Sequence, residues 1–377
     1  MIVGGGVIGA AVAAFLRREH AALEVTVLER DPSYRQASSA LSASSIRQQF
    51  STPLNIALSQ ASLALMQPWR DVLGFVEAGY LYLATEAGAA ALERLNALQR
   101  AAGADIRLLD AAALKARWPW LATDGLVLGS WGARGEGWFD GPALHQALRR
   151  DAAERGARFV RAEVIDFETH GDAVRAAIDR EGCRHPADAL LIAAGAWSAP
   201  LARRLGVALP VVASKRDVFV LESPAALPGC PLLIDPSGVW MRPEGRHYLA
   251  GAPPRHGEDT DDAPLDAVDH ARFDEHLWPT LATRIPAFEA LRVRSAWAGY
   301  YEMNRFDHNG LVGALPGPWD NAFVACGFSG HGMQHALAVG RAMASWIARS
   351  HWGPIDLTPL SPARLARGEP LAEAIVI

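Results

Sequence analysis

Hydrophobic positions along the chain switch repeatedly between a helical and a strand period. Ile2-Val3 is a short β-branched run, residues 10–16 are almost wholly apolar, and Leu23 to Leu28 alternates, so residues 1–30 predict strand, helix, strand. Residues 31–45 are rich in Ser and Ala and predict a loop. After Pro53 the apolar residues Leu54, Ile56, Ala57, Leu58, Ala61 and Leu65 gather near one side of a helix. Strand alternation returns over residues 75–85 (Val76, Tyr80, Tyr82) and 125–131. A helix is expected from Gly141, carried by Leu144, Leu148 and Ala152, then strands near 158–164 and 174–178. Residues 187–194 are nearly all apolar, as a parallel strand covered on both faces requires. Further strands are expected over 211–221, 238–242 and 247–251, and a last helix over 333–350 with Leu337, Val339, Ala342 and Ile347.

This alternation predicts an α/β nucleotide-binding domain assembled from three separated pieces, 1–60, 137–207 and 300–377. The two insertions, 61–136 and 208–299, predict a mostly antiparallel β substrate domain. Ligands in such architectures sit at the carboxyl ends of the parallel strands and at the domain boundary. The first strand, with three residues before Gly4, is expected to be short and prone to fray.

Composition narrows the class. At 377 residues the chain is long for one core. A net charge of −5 gives no reason to expect nucleic acid or an anionic membrane as partner. Cys183, Cys230 and Cys326 are odd in number and widely spaced, which argues against a disulfide framework or a structural zinc. No metal site is expected, and a reducing, cytoplasmic compartment is. No apolar run reaches the roughly 18 residues a transmembrane helix needs.

The strongest chemical signal is Gly4-Gly5-Gly6-Val7-Ile8-Gly9, a Gly-x-Gly-x-x-Gly turn between strand and helix. Gly4 permits the sharp turn, Gly6 lets backbone approach a pyrophosphate, and Gly9 lets helix and strand pack closely. Glu29, twenty residues after Gly9 at the end of the next strand, is placed to accept ribose hydroxyls. No basic stretch precedes this segment and Arg17-Arg18-Glu19-His20 closes it, so it reads as a dinucleotide turn and not a secretory signal.

Three further stretches agree in order and spacing. They are Leu190-Leu191-Ile192-Ala193-Ala194-Gly195-Ala196-Trp197, Gly299-Tyr300-Tyr301-Glu302 followed by Phe306-Asp307-His308-Asn309-Gly310, and Gly327-Phe328-Ser329-Gly330-His331-Gly332. With the N-terminal turn, they make the chain resemble the D-amino-acid oxidase (DAO) superfamily of FAD-dependent oxidoreductases across essentially its whole length. The similarity is greatest to the branch holding sarcosine and glycine oxidases, D-amino-acid dehydrogenases and a mitochondrial complex I assembly flavoprotein.

The resemblance implies FAD, oxidation of the C–N bond of an amino acid or secondary amine, and an electron acceptor that is O2, a quinone or an electron-transfer protein. A second glycine-rich helix start also suits a flavin, because reduction places negative charge at the N1/C2 edge of the ring and a helix N-terminus opposes it. Implied cofactor-binding residues are Gly4, Gly6, Val7, Ile8, Gly9, Glu29, Arg30, Ser38, Ser39, Ser44, Ser45, Val164, Ala194, Gly195, Trp197 and Gly299. The C-terminal turn adds Gly327, Ser329, Gly330, His331, Gly332, Met333 and Gln334. The family's covalent anchors are absent: Ala298 and Gly299 stand in the cysteine region and residues 31–46 hold no histidine, so non-covalent FAD is expected.

For substrate, the resemblance makes Arg47 the leading carboxylate anchor, since the planar guanidinium matches a carboxylate with two bonds. Arg216 is a second candidate, and Tyr300 and Tyr301 are expected to wall the pocket. Gln334 replaces a lysine that sarcosine-oxidase-like members use, which permits a larger or less acidic amine. Two other readings stay open: a flavin-bearing assembly or scaffold protein without turnover, and, from the first motif alone, an NAD-dependent dehydrogenase. The resemblance also leaves open that the chain works as one subunit of a hetero-oligomer.

Overall fold

The computed structural model describes residues 1–254 and 263–375. Its first layer is a six-stranded sheet in the order Leu311–Ala314, Ala322–Cys326, Leu190–Ile192, Ile2–Val3, Thr26–Glu29, Arg158–Arg161. All neighbours are parallel except the antiparallel edge pair Leu311–Ala314 and Ala322–Cys326. Leu190, Leu191 and Ile192 are buried, as expected for a strand covered on both faces. The first strand is paired along its length. Although only two residues long, it is bonded on both sides in the middle of the sheet, with Ile2 and Val3 buried.

One face of this sheet is covered by helices Val7–Glu19, Gly141–Glu154 and Gly332–Arg349, with Pro53–Leu65 packed outside the last. The first and last helices approach closely because both are small where they cross: a methyl at Gly340 would lie 2.5 Å from the Ala11 Cβ. The other face carries the three-stranded meander Val164–His170, Ala173–Asp179, Arg184–Pro186 and the helix Ser198–Arg204 around a second apolar core.

The second layer is an eight-stranded sheet built from residues 80–132 and 211–304. Its pairs are antiparallel apart from Leu232–Ile234 beside Tyr80–Ala84. The long strands Val211–Glu222 and Arg292–Asn304 lie together, with Gly299 opposite Arg216 and Tyr301 opposite Ser214. Because Arg292–Asn304 runs unbroken through residue 300, this sheet carries Tyr300, Tyr301 and Glu302 directly to the boundary with the first layer.

Several elements escape the hydrophobic pattern, and two of them bear on the site. The helix Glu86–Ala101 buries polar side chains: Asn96 donates to the Ile106 carbonyl and Gln99 to the Phe50 carbonyl. The loop at 31–45 contains one turn of helix, Ser38–Leu41, and ends in a two-residue strand, Ser45–Ile46, paired with Gly137–Trp138. The C-terminal segment returns to brace the fold. Glu373, itself buried, accepts from Ser51 N–H (2.9 Å), Ser51 Oγ (2.7 Å) and Asn55 Nδ2 (3.0 Å), which sets a carboxylate from 318 residues away beside the start of the helix Pro53–Leu65.

Candidate cofactor site

The turn after the first strand is held from every side. Gly4 has φ +100° and its N–H donates to the Leu28 carbonyl at 2.9 Å; a methyl there would lie 2.4 Å from the Ala193 carbonyl oxygen. A methyl at Gly9 would lie 2.0 Å from the Gly4 oxygen, so these two glycines serve packing. Gly6 differs. It caps the helix Val7–Glu19 with ordinary negative φ, and a methyl on it would meet Ser39 Oγ at 3.3 Å.

Glu29 is aimed by two backbone donors: Gly5 N–H reaches Oε2 at 2.8 Å and Asp31 N–H reaches Oε1 at 2.9 Å. Ser39 Oγ accepts the Val7 N–H at 2.8 Å. A brace the sequence did not disclose is His145, 2.7 Å through Nε2 from the Gly5 carbonyl; the carbonyl can only accept, so Nε2 carries a proton.

Above this turn lies a cavity of about 630 Å³, in the range of ligand pockets. Its floor is formed by Gly4, Gly6, Val7, Ile8, Glu29 and Arg30. One side comes from Ser38, Ser39, Ser44 and Ser45, another from Val164, Ala194, Gly195 and Trp197. Gly299, Gly330, Gly332 and Met333 close it, and Arg216, Tyr300 and Tyr301 line the part next to the eight-stranded sheet. Turns at opposite ends of the chain therefore share one chamber. Two glycines allow this approach: a methyl at Gly299 would lie 2.9 Å from Leu41 Cβ, and one at Gly330 2.5 Å from the Tyr301 ring. Helix geometry leaves the first N–H groups of Gly332–Arg349 without intrahelical acceptors, at the positive end of the helix dipole. A backbone-lined floor, a carboxylate at the strand end and a helix N-terminus at the far side are what an FAD molecule requires.

Six expected residues are not on this wall. Gly9 and Gly327 serve packing and turn geometry. Ser329 Oγ accepts the Asn304 N–H and donates to the Gly327 carbonyl. The His331 N–H closes the turn on the Phe328 carbonyl, and Gln334 Oε1 accepts the Arg47 N–H at 2.9 Å. Arg47, expected as the leading carboxylate anchor, is buried elsewhere. Its guanidinium lies 3.9 Å over the Phe50 ring, donates to the Gln49 carbonyl, and reaches the Ile375 carbonyl at 2.6 Å. Two backbone carbonyls and the His331 ring, 3.4 Å away, hold it there, off the cavity wall on which Arg216 stands.

Arg216 is fixed by Nη1 bonds to Ser214 Oγ (2.6 Å) and the Lys215 carbonyl (2.9 Å), and its guanidinium lies 4.9 Å over the Tyr301 ring. The Tyr300 hydroxyl donates to the Ala263 carbonyl at 2.8 Å, and its ring meets Trp197 edge to face. Trp197 in turn lies under Arg30, 3.7 Å from the guanidinium carbon. Wall residues missed by sequence reasoning include Glu302, Tyr34, Arg203 and Arg204. The arginine pair carries no signal in a chain whose basic residues are nearly all arginine.

Buried ionisable groups around the site give a defined acid response. Burial pushes His145 down to about 4 and His335 to about 3, and holds His331 well below its ordinary value. Each gains a proton on unfolding below about pH 6.5, so these three lower stability as pH falls. Burial pushes Glu136 and Glu302 up to about 7. Protonated when folded and ionised when unfolded between about pH 4.5 and 7, those two lower stability as pH rises. We expect a shallow profile from about pH 6.5 to 4.5 and a steep loss below about 4.5, where the histidines are no longer opposed. Urea titrations at stepped pH check this; a steep loss beginning at pH 6.5 would contradict it.

The FAD dependent oxidoreductase (DAO) family model matches residues 1–346. The whole chain is 40% identical to FAD-dependent oxidoreductase domain-containing protein 1 of Xenopus laevis over 423 aligned residues, covering 84% of that protein. It is 29% identical to glycine oxidase of Geobacillus kaustophilus, with 96% of each chain covered. The crystal structure of L-proline dehydrogenase from P. horikoshii matches with a TM-score of 0.87 over 98% of each chain, at 24% identity. Since the family match runs through both glycine turns that meet at the cavity, this chain belongs to the DAO family of FAD-dependent oxidoreductases, and FAD rather than a nicotinamide is its cofactor.

Proposed function

We propose that this FAD-dependent oxidoreductase oxidises the C–N bond of an amino acid or a secondary amine that carries a carboxylate. The observation that carries this reading is the wall formed by Arg216, Tyr300 and Tyr301, which places one oriented cation and two aromatic rings on the chamber that holds the cofactor. Glycine oxidase, whose name states an amino-acid substrate, is similar across nearly the whole chain and supports the same class.

FAD, when bound, supplies the hydride acceptor; the residues of this chain do the rest. Arg216, held by Ser214 and Lys215, offers its charge to a carboxylate, and the Tyr301 ring under it keeps the guanidinium flat against the wall. Tyr300 and Tyr301 exclude water from the face where the substrate carbon must lie, which favours the neutral amine. Gly332 and Met333 present the N-terminus of the last helix to developing negative charge. The cavity wall holds neither cysteine nor histidine among the described residues, in keeping with non-covalent FAD. A reducing, cytoplasmic compartment is part of the same proposal, resting on the odd number and wide spacing of Cys183, Cys230 and Cys326.

The test is anaerobic. A panel of amino acids and secondary amines is mixed with FAD-loaded protein, and at least one is expected to bleach the flavin absorbance. Subsequent mixing with air or a quinone identifies the acceptor. Arg216→Met is expected to raise KM for the bleaching substrate about 30- to 150-fold, the loss of charge-assisted bonds worth roughly 2–3 kcal/mol. A broad panel without bleaching would count against turnover and favour a flavin fixed in a scaffold.

A further inference from the structure

Glu302 is a carboxyl on the cavity wall that the reaction described above does not use. It belongs to the strand Arg292–Asn304, lies opposite Ala213, and is half-buried against the chamber. Its Oε2 accepts the Gly327 N–H at 3.0 Å, and the Phe328 N–H is a further donor. Its Oε1 points at the start of the last helix, 3.4 Å from where a methyl on Gly332 would sit. The carboxyl therefore lies at the helix end, about half a positive charge, that a reduced flavin would also draw on.

The surrounding charges do not neutralise it. On its own strand Tyr301 is raised by burial; on the turn before the helix His331 is held neutral. The Cys326 thiol faces it from the strand Ala322–Cys326 and is raised by burial and then by the Glu302 charge. On the strand Val211–Glu222, Lys215 bonds the Ala267 carbonyl and Arg216 lies over Tyr301. Arg47 and Arg364 are engaged by Ile375 and Asp307 respectively. No ion pair reaches Glu302 among the described residues. Burial pushes it up to about 7 against the two N–H bonds that pull it down, so a change in neighbouring charge near neutrality moves its proton.

We propose that Glu302 is the proton-linked partner of the bound cofactor: ionised beside oxidised FAD, it takes one proton from solvent when FAD is reduced. Reduction by two electrons and one proton leaves one negative charge on the cofactor. Protonation of the Glu302 carboxylate removes one negative charge beside it, so the net charge at the helix end is unchanged. The inference rests on FAD as cofactor and is independent of which amine is oxidised.

The test counts protons. FAD-loaded protein in weak buffer is reduced by a measured amount of dithionite, and uptake, corrected for the reductant's own protons, is followed with an indicator dye from about pH 5.5 to 9.5. Uptake is expected near one proton per two electrons at about pH 5.5, where Glu302 is already protonated, and to rise toward two at about pH 8 before falling again. Glu302→Gln is expected to flatten the curve at one. If that variant fails to retain FAD, the wild-type curve decides alone. A value of one throughout, or uptake that only grows toward acid pH as protonation of the cofactor itself would give, overturns the proposal. So does a Glu302→Gln curve that keeps the hump.

Discussion

Replacing Gly6 by alanine is expected to leave a folded protein that has lost FAD, whereas Gly4→Ala should damage the fold itself. The two positions belong to one motif but face different neighbours. At Gly6 the backbone is ordinary and the nearest obstacle to a methyl is the Ser39 hydroxyl at 3.3 Å, which can shift. That methyl would nevertheless stand on the cavity floor, where the motif brings backbone against the pyrophosphate. We expect the FAD dissociation constant to rise at least about 100-fold, roughly 2.7 kcal/mol, with little change in the unfolding temperature of the apo protein. At Gly4 a methyl meets the Ala193 backbone at 2.4 Å and φ is +100°, so neither neighbour nor chain can yield. A loss of roughly 3–5 kcal/mol is expected even without FAD. Isothermal titration with FAD and calorimetry of both apo variants separate the cases. Equal affinity of wild type and Gly6→Ala would show that the pyrophosphate does not approach this turn.

The second large effect lies away from the cavity. Arg364 grips Asp307 with both arms, Nε to Oδ2 at 2.7 Å and Nη2 to Oδ1 at 3.0 Å, and their side chains are 3% and 0% exposed. Its remaining donors go to the carbonyls of Leu360, Ser361, Asn309 and Gly310. Asp307 also accepts from Asn304 Nδ2 (2.8 Å) and Leu371 N–H (3.0 Å). Arg364→Met would leave a buried carboxylate without its cation and take a donor from the Leu360 and Gly310 carbonyls, a loss of about 3–5 kcal/mol. Such a loss exceeds that of most single substitutions and is expected to lower the yield of folded protein at 37 °C. The double variant with Asp307→Leu should recover only part of it, because Asn304 and Leu371 still lose their acceptor. Full recovery in chemical denaturation would reduce the network to a dispensable pair.

This network also explains one of the stretches that carry the family resemblance. Phe306-Asp307-His308-Asn309-Gly310 contributed to the family resemblance, yet Asp307 and Asn309 are structural. They tie the segment after residue 360 to the turn that follows the strand Arg292–Asn304. Arg47 shows the converse. Its place in the sequence matches a substrate arginine, but the returning C-terminal segment brings Ile375 within 2.6 Å of it, and 328 residues of separation hide that contact from any local pattern. The helix Glu86–Ala101 went unseen because its buried positions, Asn96 and Gln99, are polar.

What local chemistry dictates was readable in order along the chain. Glycine spacing, β-branched runs and the 3.6-residue period specify the dinucleotide turn, the parallel strands and the last helix, since each depends on backbone freedom and solvent exclusion within a few residues. The tertiary structure alone decided which charged groups meet the cavity. Arg216 and Glu302 reach its wall through a cross-sheet register, while Arg47 is drawn off by distant carbonyls. Burial and long-range partners set the state of a charged side chain, and neither is encoded in its immediate neighbours.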